Sequence, residues 1–221
     1  MKKTKLTSAF ALVLGMSAAH GAVISWDAPI VNTTAADILT TGSLVVAVDA
    51  GSSDNSVVNG VTFVPGVTGT TQLGSAAEGT FWTTGGGVNT TGDAGLDALL
   101  DSHSWQGGTP SNGSFVIEGL TIGQAYDVQI IAVGDTRGCC AGRTQNFGGD
   151  GGSFSADLLR SDPSSVTGTF VADAITQTIV VNGSQDGGIS GYQVRTSAIP
   201  EPGSAMLLLL GVAGAGLRRR R

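Results

Sequence analysis

Lysine is missing from almost the whole chain: the three present are Lys2, Lys3 and Lys5. Four of the eight arginines close the sequence as Arg218, Arg219, Arg220 and Arg221, so the long middle holds only Arg137, Arg143, Arg160 and Arg195. All seventeen acidic residues fall between Asp27 and Glu201, and four positive against seventeen negative charges leave that stretch at −13. A surface so poor in cations repels phosphate backbones and anionic membrane. Nucleic acid is excluded as a partner, and the acidity reads as solvation of an exported protein.

Other shortages exclude chemistry. There are two histidines, His20 and His103, and two cysteines, the neighbours Cys139 and Cys140. That set offers no zinc-ligand spacing. No Gly-x-Ser-x-Gly, His-Glu-x-x-His or phosphate-cradling loop occurs. Neither catalytic residues, a metal nor a cofactor is therefore assigned. A glycosidase needs only two carboxyl groups, and no pair stands out among the acids. Asp-Gly pieces such as Asp49 to Asp54, Asp150 to Gly152 and Asp186 to Gly188 lack the regular carboxylate spacing of a calcium loop, and turn chemistry accounts for them.

What is abundant is glycine, 35 of 221 residues, while aromatics make up 5%. Glycine turns between short runs rich in Val, Thr and Ser favour strands over helices. Strands are expected at Val23–Trp26, Ser43–Asp49, Val57–Val64 with an Asn59-Gly60 turn inside, Thr80–Thr83, Ser114–Glu118, Ala125–Val133, Val166–Ala172, Ala174–Val181 and Ile189–Thr196. Leu96, Leu99 and Leu100 have helical spacing, and a short lid or corner helix is expected over Leu96–Ser102, across one end of the body. The body, residues 22–198, is read as one all-β domain: an antiparallel two-sheet sandwich, jelly-roll-like.

The two ends carry a different signal. Lys2, Lys3 and Lys5, the apolar run Leu6 to Met16 and the small residues Ser17 to Ala22 have the layout of a secretory signal peptide. Cleavage after Gly21 or after Ala19 fits, the former preferred, and Sec export follows. At the other end Pro200-Glu201-Pro202 fixes an extended strip. The uncharged run Ser204 to Leu217 comes next, about 21 Å long as a helix against a hydrocarbon core of about 30 Å. The arginine block Arg218 to Arg221 resists translocation and stops the tail at the membrane. A retained single-pass anchor is the alternative to a processed signal.

This order of parts over residues 199–221 resembles the PEP-CTERM family of exported bacterial proteins, and Pro200, Glu201 and Pro202 match its motif. The resemblance implies an exosortase, a membrane processing enzyme, as partner. It also implies transient attachment through the tail, a final place on the cell surface, and an association with exopolysaccharide. Within the body, Gly119-Leu120-Thr121-Ile122-Gly123 followed by Tyr126 resembles the tyrosine corner of fibronectin type III and related sandwiches, in which the hydroxyl bonds to upstream backbone.

Four further features are candidates. Cys139 and Cys140 are read as a vicinal disulfide, as free thiols or as a link to another chain. Arg137 and Arg143, in the loop from Gly134 to Gly152, are expected to pair with Asp135 and Asp150. Trp82 and Trp105 are the candidates for packing on a sugar ring, Trp105 because it sits in a polar stretch. The function expected is an exported, non-enzymatic surface or matrix protein. A polysaccharide-binding module and a secreted glycosidase are the alternatives.

Overall fold

The computed structural model describes residues 21–66, 73, 75–77, 90–132, 134–135, 139–149 and 152–197. The signal-peptide segment before residue 21, the expected strand Thr80–Thr83 and the tail from residue 198 lie outside them. The chain is mostly β, in two sheets with no closed barrel. In chain order the strands are β1 (Ser25–Trp26), β2 (Ile30–Val31), β3 (Leu44–Asp49), β4 (Ser56–Val58) and β5 (Val61–Pro65). Next come β6 (Ser75–Ala77), helix α1 (Ala94–Asp101), β7 (His103–Trp105), β8 (Ser111–Glu118) and β9 (Ala125–Ala132). The last are β10 (Thr144–Gly149), β11 (Leu158–Leu159), β12 (Ser164–Val171), β13 (Thr176–Gly183) and β14 (Gly188–Thr196).

The larger sheet runs β1-β12-β9-β14-β3-β5-β4, with β2 on β12 and the β6–β7 pair on β14; the smaller runs β11-β10-β13-β8. Alternation decides what each face meets. Phe115 and Ile117 of β8, Phe147 of β10 and Ile179 and Val181 of β13 point from the smaller sheet. They meet Val128, Ile130, Val166, Phe170, Tyr192, Val194 and Val48 of the larger one. The rings of Phe115 and Tyr192 stack across this interface at 4.6 Å. Each such fully buried side chain contributes about 1.5–3 kcal/mol.

Two local readings hold in detail. Asn59 and Gly60 both take positive φ, +50° and +75°, as a two-residue hairpin between β4 and β5 requires. The Tyr126 hydroxyl accepts the Thr121 amide hydrogen at 2.8 Å, which pins the corner between β8 and β9.

Three expectations need correction. β3 and β5 pair in parallel, Val48 opposite Val64, whereas the other pairings among the described residues are antiparallel. The cause is that the chain passes from β3 to the outer position of β4, and the tight hairpin returns β5 between them. The loop expected from Gly134 to Gly152 contains β10, an inner strand of the smaller sheet. Two of its glycines serve contact: a Cβ on Gly148 would run into the Phe154 ring, and Gly149 packs tightly against the Ala22 carbonyl. Finally, α1 does not cross an end of the sandwich. It lies on the outer face of the larger sheet, where Leu96, Leu99 and Leu100 pack with Ala47, Ile131, Val58, Val61 and Phe63 in a second core.

The rest of that outer face is polar and buried, and residues 32–42 strap it. Gln129 donates to the Asp37 carbonyl at 2.7 Å and accepts from the Leu39 amide at 3.0 Å. Gln193 donates to the Leu39 carbonyl, and the Arg195 guanidinium to the carbonyls of Thr40 and Gly42 at 3.0 and 2.9 Å. A side chain on a sheet thus satisfies backbone groups of a segment that has no ladder of its own.

Candidate functional site

Asp49 ends β3. Val46 and Val48 face the sandwich core, so alternation sends Asp49 to the outer face, under α1. Asp93 caps that helix by accepting the Leu96 amide hydrogen at 2.8 Å, and Gly95 lies so close to the Val57 carbonyl that a Cβ would clash. This docking fixes the helix end, where Ser102 donates its hydroxyl hydrogen to Asp49. Ser56 of β4 donates to the other carboxylate oxygen at 2.6 Å, and the Ser52 amide adds a longer bond of 3.3 Å. Burial pushes the Asp49 carboxyl up to about 6 even though these hydrogen bonds oppose the shift.

Beside this group lies a cavity of about 340 Å³ lined by Ser52, Asp54, Asn55, Ser56, Ala98, Asp101 and Ser102. Ser56 and Ser102 both form its wall and hold Asp49 behind it. Each hydroxyl has a single hydrogen and directs it at the carboxylate, so lone pairs face the cavity. With Asp54 and Asp101 the lining is rich in oxygen acceptors and carries no Lys, Arg or His, while the Asn55 amide adds donors. No group of three or more His, Cys, Asp or Glu side chains among the described residues is placed to hold a metal ion.

The site occupies one end of the sandwich. Along β14, Gly188 pairs with Trp105, Ile189 with Ala132 and Gly191 with Asp49; at the far end Thr196 pairs with Tyr126, and Ser197 donates to the Ala125 carbonyl. Five steps of about 3.3 Å, roughly 17 Å, separate the Asp49 rung from the far end. Trp105 and the cysteines therefore share the cavity's end of the molecule, while the chain leaves from the opposite one. Trp105 is half-buried, its ring 5.3 Å from that of buried His103. Trp82 lies outside the described residues.

Cys139 and Cys140 are joined by a disulfide in the turn before β10, with Cys139 exposed and Cys140 buried. Arg143 has a different partner from the neighbouring aspartates that the sequence suggested. Arg143 reaches Asp186, in the β13–β14 loop, at 2.7 Å, and buried Asp135 faces buried Arg160 at 3.7 Å. Arg137 and Asp150 lie outside the described residues. Asp186 also accepts from the Gly108 amide, so one carboxylate ties the loops before β8, β10 and β14 together.

Sequence reasoning missed Asp49, Ser56 and Ser102. The sequence carries only half of their signal: the apolar stripe of α1 must be covered, but nothing local marks the second face of β3 as its cover.

The described residues end at Ser197, and the residues that follow match a family model. Residues 198–221 are a PEP-CTERM protein-sorting motif. The match covers this tail, where Pro200, Glu201, Pro202 and Arg218 to Arg221 lie outside the described residues. A PEP-CTERM motif supports an exported protein sorted by exosortase-type machinery, membrane-anchored during sorting and ending on the cell surface. Among the described residues no helix is long and apolar enough to cross a membrane.

No curated protein matches the chain. Among solved structures it is similar to β-glucuronidase 2 of Bacteroides uniformis, as a calcium-binding mutant, with 12% identity and a TM-score of 0.48 over 69% of this chain and 18% of that one. The same enzyme covalently bound to cyclophellitol-6-carboxylate aziridine gives 14% identity and a TM-score of 0.45 over the same shares. A family GH115 4-O-methyl-α-glucuronidase, BtGH115A, gives 9% identity and a TM-score of 0.31 over 44% of this chain and 14% of that one. The chain thus spans less than a fifth of the length of these proteins.

Proposed function

We propose that the chain is an exported, non-enzymatic cell-surface protein. Residues 1–21 lead it through the Sec machinery, and the PEP-CTERM tail halts it in the membrane until an exosortase cuts it. The observation that carries this reading is the tail, in which the proline-flanked glutamate, the short uncharged run and the terminal arginines stand in the order of the motif. The body, a jelly-roll-like sandwich in this reading, is the cargo. Its last described residue, Ser197, lies at the tyrosine-corner end of β14, opposite the cavity.

Fractionation of the native host tests this. The full chain should pass through the envelope fraction and lose its last residues, whereas a chain ending at Ser197 should be released without the membrane-bound stage. Equal envelope association of the two forms would overturn the proposal. Acquisition of a hydrolytic activity on exopolysaccharide by the purified body, lost on Asp101→Asn, would overturn its non-enzymatic part.

One observation favours a second reading, in which the displayed end also binds polysaccharide: the acceptor-lined cavity beside Asp49. Retention on the host's exopolysaccharide that weakens in Asp54→Asn and Asp101→Asn supports it. Retention that is unchanged in both variants removes the cavity from the account.

A further inference from the structure

The disulfide between Cys139 and Cys140 closes no loop, because the two residues are adjacent. A cross-link stabilises chiefly by removing freedom from the unfolded chain over the residues it encloses, and here it encloses none. The fold around it is held by other means. The Arg143 amide donates to the Cys140 carbonyl at 3.0 Å, and Arg143 is tied to Asp186 at 2.7 Å, neither bond using sulfur. The bridge is also asymmetric: Cys139 is exposed and Cys140 is 2% exposed. An incoming nucleophile must approach a disulfide sulfur from the side opposite its partner, so access selects which sulfur is attacked.

We infer that Cys139–Cys140 is a thiol-exchange site for small-molecule thiols of the glutathione class, with Cys139 as the sulfur that is attacked. The thiolate of the small molecule forms a new S–S bond to Cys139 Sγ. The bond between the two Sγ atoms breaks, and its electron pair departs on Cys140 Sγ, which takes a proton from water. The thiolate of a second small molecule then attacks the sulfur of the first, and the bond to Cys139 Sγ breaks, its electron pair departing on Cys139 Sγ, which takes a proton from water. The two small molecules leave as their own disulfide, and the pair remains as two thiols. Buried Cys140 stays beside Cys139 throughout, so reverse exchange with the small-molecule disulfide, which is reduced to two small thiols, restores the bridge. The exported body thereby carries a reversible record of the thiol level around it.

The test uses the full chain, isolated oxidised and incubated natively with reduced glutathione, then acid-quenched, alkylated and mapped by peptide mass. The expected result is glutathione on Cys139 at least tenfold in excess over Cys140, with alkylation of the partner thiol. Equal adducts, a preference for Cys140, or reduction only after unfolding in urea would overturn the assignment. The double substitution Cys139→Ser and Cys140→Ser should leave the melting temperature unchanged. A fall of more than about 4 °C, on the order of 1 kcal/mol for a domain of this size, would show a structural cross-link and also overturn it.

Discussion

Ser102, the residue that terminates α1, gives its hydroxyl hydrogen to Asp49, the residue that terminates β3. One hydrogen bond therefore joins the outer helix to the centre of the larger sheet, and it does so through a carboxylate removed from water. Burial holds that carboxyl at about 6 against 3.8 for an ordinary aspartate. The folded state keeps the proton over a range in which the unfolded chain has released it. Stability contributed by this group is thus full at low pH and declines as pH rises from 3.8 through about 6. A shift of this size corresponds to about 3 kcal/mol. Urea denaturation of the body and of Asp49→Asn at several pH values should give a difference curve with this slope and a plateau above pH 7. A flat difference curve would remove the buried proton from the account.

The docking of α1 is sterically stricter than its capping. Gly95→Ala drives a methyl into the Val57 carbonyl and should cost about 2–3 kcal/mol. Asp93→Ala removes one cap and should cost about 1 kcal/mol. Denaturation midpoints of the two variants check the order, and a larger loss for the cap would reverse the argument.

Tyr126→Phe keeps the ring against Phe170, 5.7 Å away, and removes only the acceptor for the Thr121 amide. The expected loss is about 1–2 kcal/mol. Hydrogen exchange at Thr121 should speed up while the β9 amides, held by β12 and β14, keep their protection.

Arg195 is buried among neutral acceptors, and desolvation draws its guanidinium below the ordinary arginine value. Arg195→Met leaves the Thr40 and Gly42 carbonyls without that donor, at an expected cost of about 2–4 kcal/mol. Residues 39–43 should loosen first, read as faster exchange of the Leu39 and Ser43 amides. Uniform acceleration across the sheet would mean that Arg195 supports the whole strand instead of the strap.

Where local chemistry determines local structure, the chain could be read directly. Asn59-Gly60 announced its hairpin, Leu96, Leu99 and Leu100 their helix, and Tyr126 its corner. β10 was illegible because its inward positions are Gln145, Phe147 and Gly149, which give a single large apolar residue where a strand pattern needs several. Asp49 was illegible for a related reason. An aspartate followed by Gly-Ser-Ser reads as a turn, and only the later helix makes its position an interior one. The Arg143 ion pair is long-range, to Asp186, and sequence proximity pointed to nearer aspartates. The PEP-CTERM tail was fully legible because its parts act in linear order.

β14 lies between β9 and β3 and runs straight into Ser197, with Ala198 and Ile199 alone before Pro200. A pull on the tail against anything gripped at the cavity end acts along the axis of this strand. The ladders on its two sides then share the load in shear and do not open rung by rung. While the tail is held in the membrane during sorting, the rungs on both sides of β14 must therefore fail together before the strand can be drawn out of the sheet.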